Sequence, residues 1–102
     1  MNAKIFCRII SDDFSVETEM EIVHFFRDVL GTFGAKNIGF EPIRPYYKID
    51  GYGEMVCTFF LDEKLTVEVC TKLASVWQCG VADARWSEIF CPRVNFLWLE
   101  AE

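Results

Sequence analysis

The apolar residues of this chain change period along its length, and that change limits the folds open to it. Residues 4–10, KIFCRII, alternate as a strand does, with Ile5, Cys7 and Ile9 on one face and Phe6, Arg8 and Ile10 on the other. Both faces are largely apolar, which predicts a central strand. From Val16 onward the steps lengthen to three and four. Val16, Met20, Val23, Phe26, Leu30 and Phe33 form one helical stripe, widened by Ile22 and Val29. Ser15 is the expected N-cap, and Glu17, Glu19 and Glu21 suit the positive end of a helix dipole. Gly31 and Gly34 supply stop signals. A helix is therefore predicted over 15–33.

The period then returns to two. Residues 36–49 read as a long, interrupted strand, in which Pro42 and Pro45 cannot donate ladder hydrogen bonds; an edge position or a bulge follows. Asp50-Gly51-Tyr52-Gly53 is a turn signal, and MVCTFFL at 55–61 completes a hairpin as a strand apolar on both faces. Asp62 can cap a second helix, over 63–79, with Leu65, Val69, Leu73 and Val76 inward and Gly80 as its stop. Residues 81–89 alternate as a half-exposed strand. Residues 93–100 form the last strand, with Val94, Phe96 and Trp98 on one face. The order β-α-β-β-α-β-β predicts one α+β domain over 1–102. Its expected form is a two-layer ferredoxin-like sandwich, two helices on one face of an antiparallel sheet of four or five strands.

Composition supports a packed core and narrows the functions. Hydrophobic residues are 52% and aromatics 16% of the 102 residues, which argues against disorder. Sixteen acids against ten bases leave a net charge of −6, so a phosphate backbone is repelled and no direct nucleic-acid partner is expected. Apolar runs fall far short of the roughly 20 residues that cross a bilayer. The N-terminal segment, broken by Arg8 and ended by Asp12-Asp13, makes a poor secretory signal. The expectation is a cytoplasmic protein with no membrane contact. Five cysteines at wide spacing, with no C-x-x-C, read as buried free thiols rather than as a disulfide or zinc framework.

Three constellations stand out. His24, the single histidine, falls off the apolar stripe between Glu21 and Asp28, which reads as a solvated ion-pair cluster. No second His or Cys lies at ligand spacing, so no metal is expected. With no identifiable nucleophile beside it, no catalytic residue, cofactor or enzyme activity is expected either. Asp12, Asp13, Glu17, Glu19 and Glu21 crowd five carboxylates into ten residues. Capping and the dipole explain part of that set, and the surplus suits a basic partner. All three tyrosines, Tyr46, Tyr47 and Tyr52, lie near one hairpin tip, where they would either support the turn or supply an interface. Phe25, beside the acidic Glu21 and Asp28, fits an apolar anchor in a charged rim. Phe6, Phe59 or Phe60, and Trp86 would line the sheet face that the helices leave open.

An acidic single-domain α+β chain with Asp12-Asp13, Glu17-Glu19-Glu21 and a Tyr46–Tyr52 loop resembles, as a type, the small bacterial immunity proteins paired with secreted toxins, including those of contact-dependent growth inhibition. The resemblance covers the whole chain without a specific motif. It implies an inhibitor that binds a basic toxin domain, such as a nuclease. Asp12, Asp13, Glu17, Glu21 and Asp28 would steer that partner, and Phe25, Tyr46, Tyr47 and Tyr52 would supply buried contact. The alternative is a small-molecule-binding regulatory module of the same fold that dimerises through the open sheet face.

Overall fold

A computed structural model of the chain describes residues 2–68, 91 and 93–101. They form an α+β structure around a five-stranded antiparallel sheet. Strand β1 (Asn2–Ser11) runs through its middle. It pairs on one side with β4 (Gly53–Asp62), from Asn2↔Asp62 to Ser11↔Gly53, and on the other with β5 (Phe96–Ala101), from Ile5↔Ala101 to Ile10↔Phe96. The two-sided apolar pattern of residues 4–10 does mark a central strand. Strands β2 (Lys36–Phe40) and β3 (Arg44–Pro45) both pair with the outer side of β4, giving the order β2-β4-β1-β5 with β3 beside β2 along the same partner. The segment read as one strand over 36–49 is thus two. Pro42 lies in the break between them, and Pro45 sits on the edge strand, where its missing N–H leaves no gap in the sheet. The register of β2 also shifts between Lys36 and Gly39, an interval that holds Asn37, whose φ of 52° only a few side chains tolerate.

Helix α1 (Val16–Thr32) starts where its cap requires. Ser15 is extended, and its hydroxyl accepts the Thr18 N–H at 3.3 Å. The helix ends at Phe33. Gly34 follows with φ +78°, and the Ala35 N–H reaches back to the Leu30 carbonyl at 3.0 Å, satisfying end carbonyls of the helix. The buried side of α1 consists of Thr18, Ile22, Phe26, Val29 and Leu30. Val16 and Met20, expected in the stripe, are about two-thirds exposed, at 67% and 66%. The first turn is oriented by the Ser15–Thr18 cap, which turns Thr18 inward and carries its neighbours outward. Thr18 can be buried because its hydroxyl donates to Asp13 Oδ2 at 2.7 Å.

The core lies between α1 and one sheet face. Registered rows build that face: Leu97, Ile9 and Met55; then Leu99, Cys7, Cys57 and Phe40; then Ile5 and Phe59. Ile22, Phe26 and Leu30 pack onto these rows. Cys7, Cys57 and Cys91 are buried thiols outside any disulfide, and burial pushes the Cys57 thiol up to about 12. Residues 63–68 are helical, where the second helix was expected to begin. The rest of that helix, the strand at 81–89, Cys70, Cys79 and Trp86 lie outside the described residues. The final strand begins at Phe96 rather than 93, because the Val94 N–H first turns back to the Cys91 carbonyl at 3.1 Å, and only from Asn95, whose N–H donates to the Ile10 carbonyl at 2.8 Å, does the chain join β1.

Candidate functional site

Alternation places a second set of side chains on the sheet face turned away from α1. The rows are Trp98, Arg8 and Val56; Glu100, Phe6, Thr58 and Gly39; and Phe96, Ile10 and Glu54. One end of this far face is closed. Ile10, Val56 and Glu54 are buried, and Tyr46, only 7% exposed, packs on the same side. The other end is open. Phe96 and Trp98 are 43% and 44% exposed and stack on each other with ring centroids 6.1 Å apart. Between the two ends lies a hollow of about 250 Å³, lined by Phe6, Arg8, Tyr46, Lys48, Trp98 and Glu100. A second hollow of about 290 Å³ lies on the other side of Phe6, against Gly39, Glu41 and Thr58.

Glu54 organises this face. Its side chain is nearly buried, with Oε1 accepting from Arg44 Nε at 3.0 Å and Nη2 at 2.8 Å, while Arg8 Nε stands 3.3 Å from Oε2. A buried carboxylate needs such partners. The bond to Glu54 raises the Arg44 guanidinium above its ordinary value. Arg44 and Arg8 lie on different strands, so one carboxylate fastens β3 to the sheet and also fixes the Arg8 guanidinium at the hollow. Lys48 enters from the hairpin loop, its ammonium 5.7 Å from the Tyr47 ring centroid.

The loop itself is built by its turn residues. The Tyr46 N–H donates to the Tyr52 carbonyl at 2.7 Å, and Gly51 takes a φ of +81° that closes the turn. The tyrosines then divide. Tyr46 lies against the sheet, Tyr52 is half-buried, and Tyr47 stands 81% exposed, edge to face with Tyr46 at 5.6 Å. Gly53 has no alternative at the base of the loop, because a Cβ there would occupy the space of Phe14 Cβ.

The acidic cluster is mostly engaged in holding the fold. Asp13 accepts from the Thr18 hydroxyl, the Ser15 N–H at 3.0 Å and the Ser15 hydroxyl at 3.1 Å, and the Thr18 bond above all holds its carboxyl below the usual value. Glu19 accepts the Ile43 N–H at 2.6 Å, and Glu21 takes Arg93 Nε at 3.2 Å. Arg93, remote in sequence, thus supplies the base that the cluster lacks locally. Asp12 and Glu17 keep carboxylates without partners among the described residues. Asp28 pairs with His24 at 3.6 Å on the solvent side of α1, as the spacing implied. Phe25 is half-buried, edge to face with Phe26 at 5.2 Å and packed on the core.

The expected site residues therefore do not converge. Glu17, Glu21 and Asp28 belong to the helix layer, while Tyr46 belongs to the far face. Phe6 and Phe60 do face away from α1, whereas Phe59 is core. Arg8, Lys48, Trp98 and Glu100 escaped the sequence reading as site residues, although Phe96-Leu97-Trp98-Leu99-Glu100 alternates aromatic or acidic with aliphatic and so signals which side chains point outward. Among the described residues, no group of three or more His, Cys, Asp or Glu could hold a metal, and no helix is long and apolar enough to cross a membrane. The chain matches no protein-family model and no curated protein.

Proposed function

We propose that this protein is a binding protein that recognises a protein partner through the far face of its sheet, an inhibitor of the immunity type. The open pair Phe96–Trp98 beside the hollow carries the reading. Half-exposed aromatics on a rigid sheet, bordered by Arg8, Lys48 and Glu100, have the composition of an interface centre with a polar rim. An open hollow of about 250 Å³ suits one side chain of a partner, being smaller than sites of roughly 300–1,000 Å³ that enclose a small molecule. The net charge of −6 acts at longer range: it draws in a basic toxin domain, while contact is made by the far face. The hollow offers ring faces and hydrogen-bond donors, which is equipment for recognition. The ferredoxin-like arrangement is part of the same proposal, supported by the strand order β2-β4-β1-β5 and by α1 joining β1 to β2.

The test is affinity capture from the native host with wild-type and Trp98→Ala baits, quantified by mass spectrometry. A basic protein retained stoichiometrically by wild type and lost from Trp98→Ala is the expected result. Equal retention by both baits would remove the far face from the interface.

A further inference from the structure

We infer that the hollow takes a carboxylate held next to an aromatic ring on the partner, with Arg8 and Lys48 binding the anion and Trp98 and Phe6 flanking the ring. This deepens the far-face reading and rests on it. Charge complementarity is the ground for it. In an acidic chain, two cations meet at one hollow, and both have donors to spare. Arg8 stands by its Nε 3.3 Å from Glu54, and among the described residues its Nη groups donate no hydrogen bond and the Lys48 ammonium meets the Tyr47 ring alone. Glu54 holds the Arg8 guanidinium in place, so little freedom is lost when an anion binds. The acids Glu17, Glu21 and Asp28 lie on the helix layer, across the sheet. Glu100, in register opposite Phe6, is the carboxylate among the described residues that line the hollow, and its charge disfavours an anion on its own side. The walls are aromatic, which selects a flat neighbour for that anion.

The probe is N-acetylphenylalanine, with its neutral amide as control, titrated into the isotopically labelled full chain and followed by two-dimensional NMR. The acid should shift the Trp98 indole N–H and the amides around Arg8 and Lys48, saturating on the order of 1 mM. The amide should bind about five- to tenfold more weakly. Lys48→Gln, on an exposed loop that leaves the fold intact, should weaken the acid by a similar factor without affecting the amide. Glu100→Gln should tighten the acid about twofold. Equal binding of acid and amide, or no saturable shift at these residues, overturns the inference. So does a dimer in sedimentation whose interface broadens Trp98, because a second copy would then occupy the face. If Trp98→Ala abolishes capture while acid and amide bind alike, the far-face reading stands and the anion assignment alone falls.

Discussion

Arg8 Nε lies 3.3 Å from Glu54 Oε2, and this contact joins the stability of the sheet to the chemistry of its far face. The same carboxylate holds Arg44 through two hydrogen bonds, so one buried acid fixes an edge strand and aims a central-strand guanidinium. Replacing it tests both roles. Glu54→Gln keeps the shape but turns an amide N–H₂ toward one arginine. The arginines are each about half exposed, so the loss falls below that of a fully buried pair, at roughly 1–3 kcal/mol in urea denaturation. An unchanged midpoint would mean that the arginines are satisfied by water and that Glu54 organises nothing.

Two glycines should respond to alanine in opposite directions. At Gly53 a new Cβ meets Phe14 Cβ and two Ile43 carbons. The backbone or both neighbours must move, at a cost of about 1–3 kcal/mol. At Gly31, inside α1, nothing lies within 4 Å of the added atom, and alanine should stabilise by about 0.5 kcal/mol. Thermal melts of the two variants decide the matter. A tolerated Gly53→Ala would contradict the close approach of Phe14.

Asp13 sets part of the acid limb of stability. Its carboxyl is held below its ordinary value by the Thr18 hydroxyl and the Ser15 N–H. A carboxylate with a depressed native value contributes stability that is complete above the unfolded value, about pH 4, and that is lost as pH falls through the native value. Asp13→Asn should therefore melt below wild type at pH 6, and the gap should narrow as pH drops under 4. A gap independent of pH would show that the ionised form has no special role in the cap.

The elements that were legible in the sequence are those whose two periods differ most. β1 follows from alternation, α1 from three-and-four spacing and the Ser15 and Gly34 signals, and β4 from a short apolar run after the turn signal at 50–53, because these signals are local. The inward side of α1 was displaced at its first turn. Val16 and Met20 extend the apolar stripe on paper, but the Asp13–Ser15–Thr18 hydrogen bonds bury a polar residue instead. No hydrophobicity pattern encodes that network. The engagement of the acidic cluster was hidden for a related reason: the partner of Glu21 is Arg93, 72 residues away, and proximity of that kind exists only after folding. Tyr46 and Tyr47 are neighbours in sequence with opposite fates, decided by the turn at Gly51. The hollow required knowing that Arg8 and Trp98 are registered across β1 and β5.

The central claim is that contact is made by the far face while the acids of the helix layer only steer. The most direct measurement is the binding kinetics of the captured partner to two double variants, Phe6→Ala with Trp98→Ala, and Asp12→Lys with Glu17→Lys. The first pair should raise the dissociation rate at least a hundredfold with little change in association, as loss of an aromatic centre does. The second pair should slow association and flatten its salt dependence while leaving dissociation nearly unchanged. The reverse pattern, fast dissociation from the charge-reversed pair and none from the aromatic pair, would place the interface on the helix layer and contradict the account.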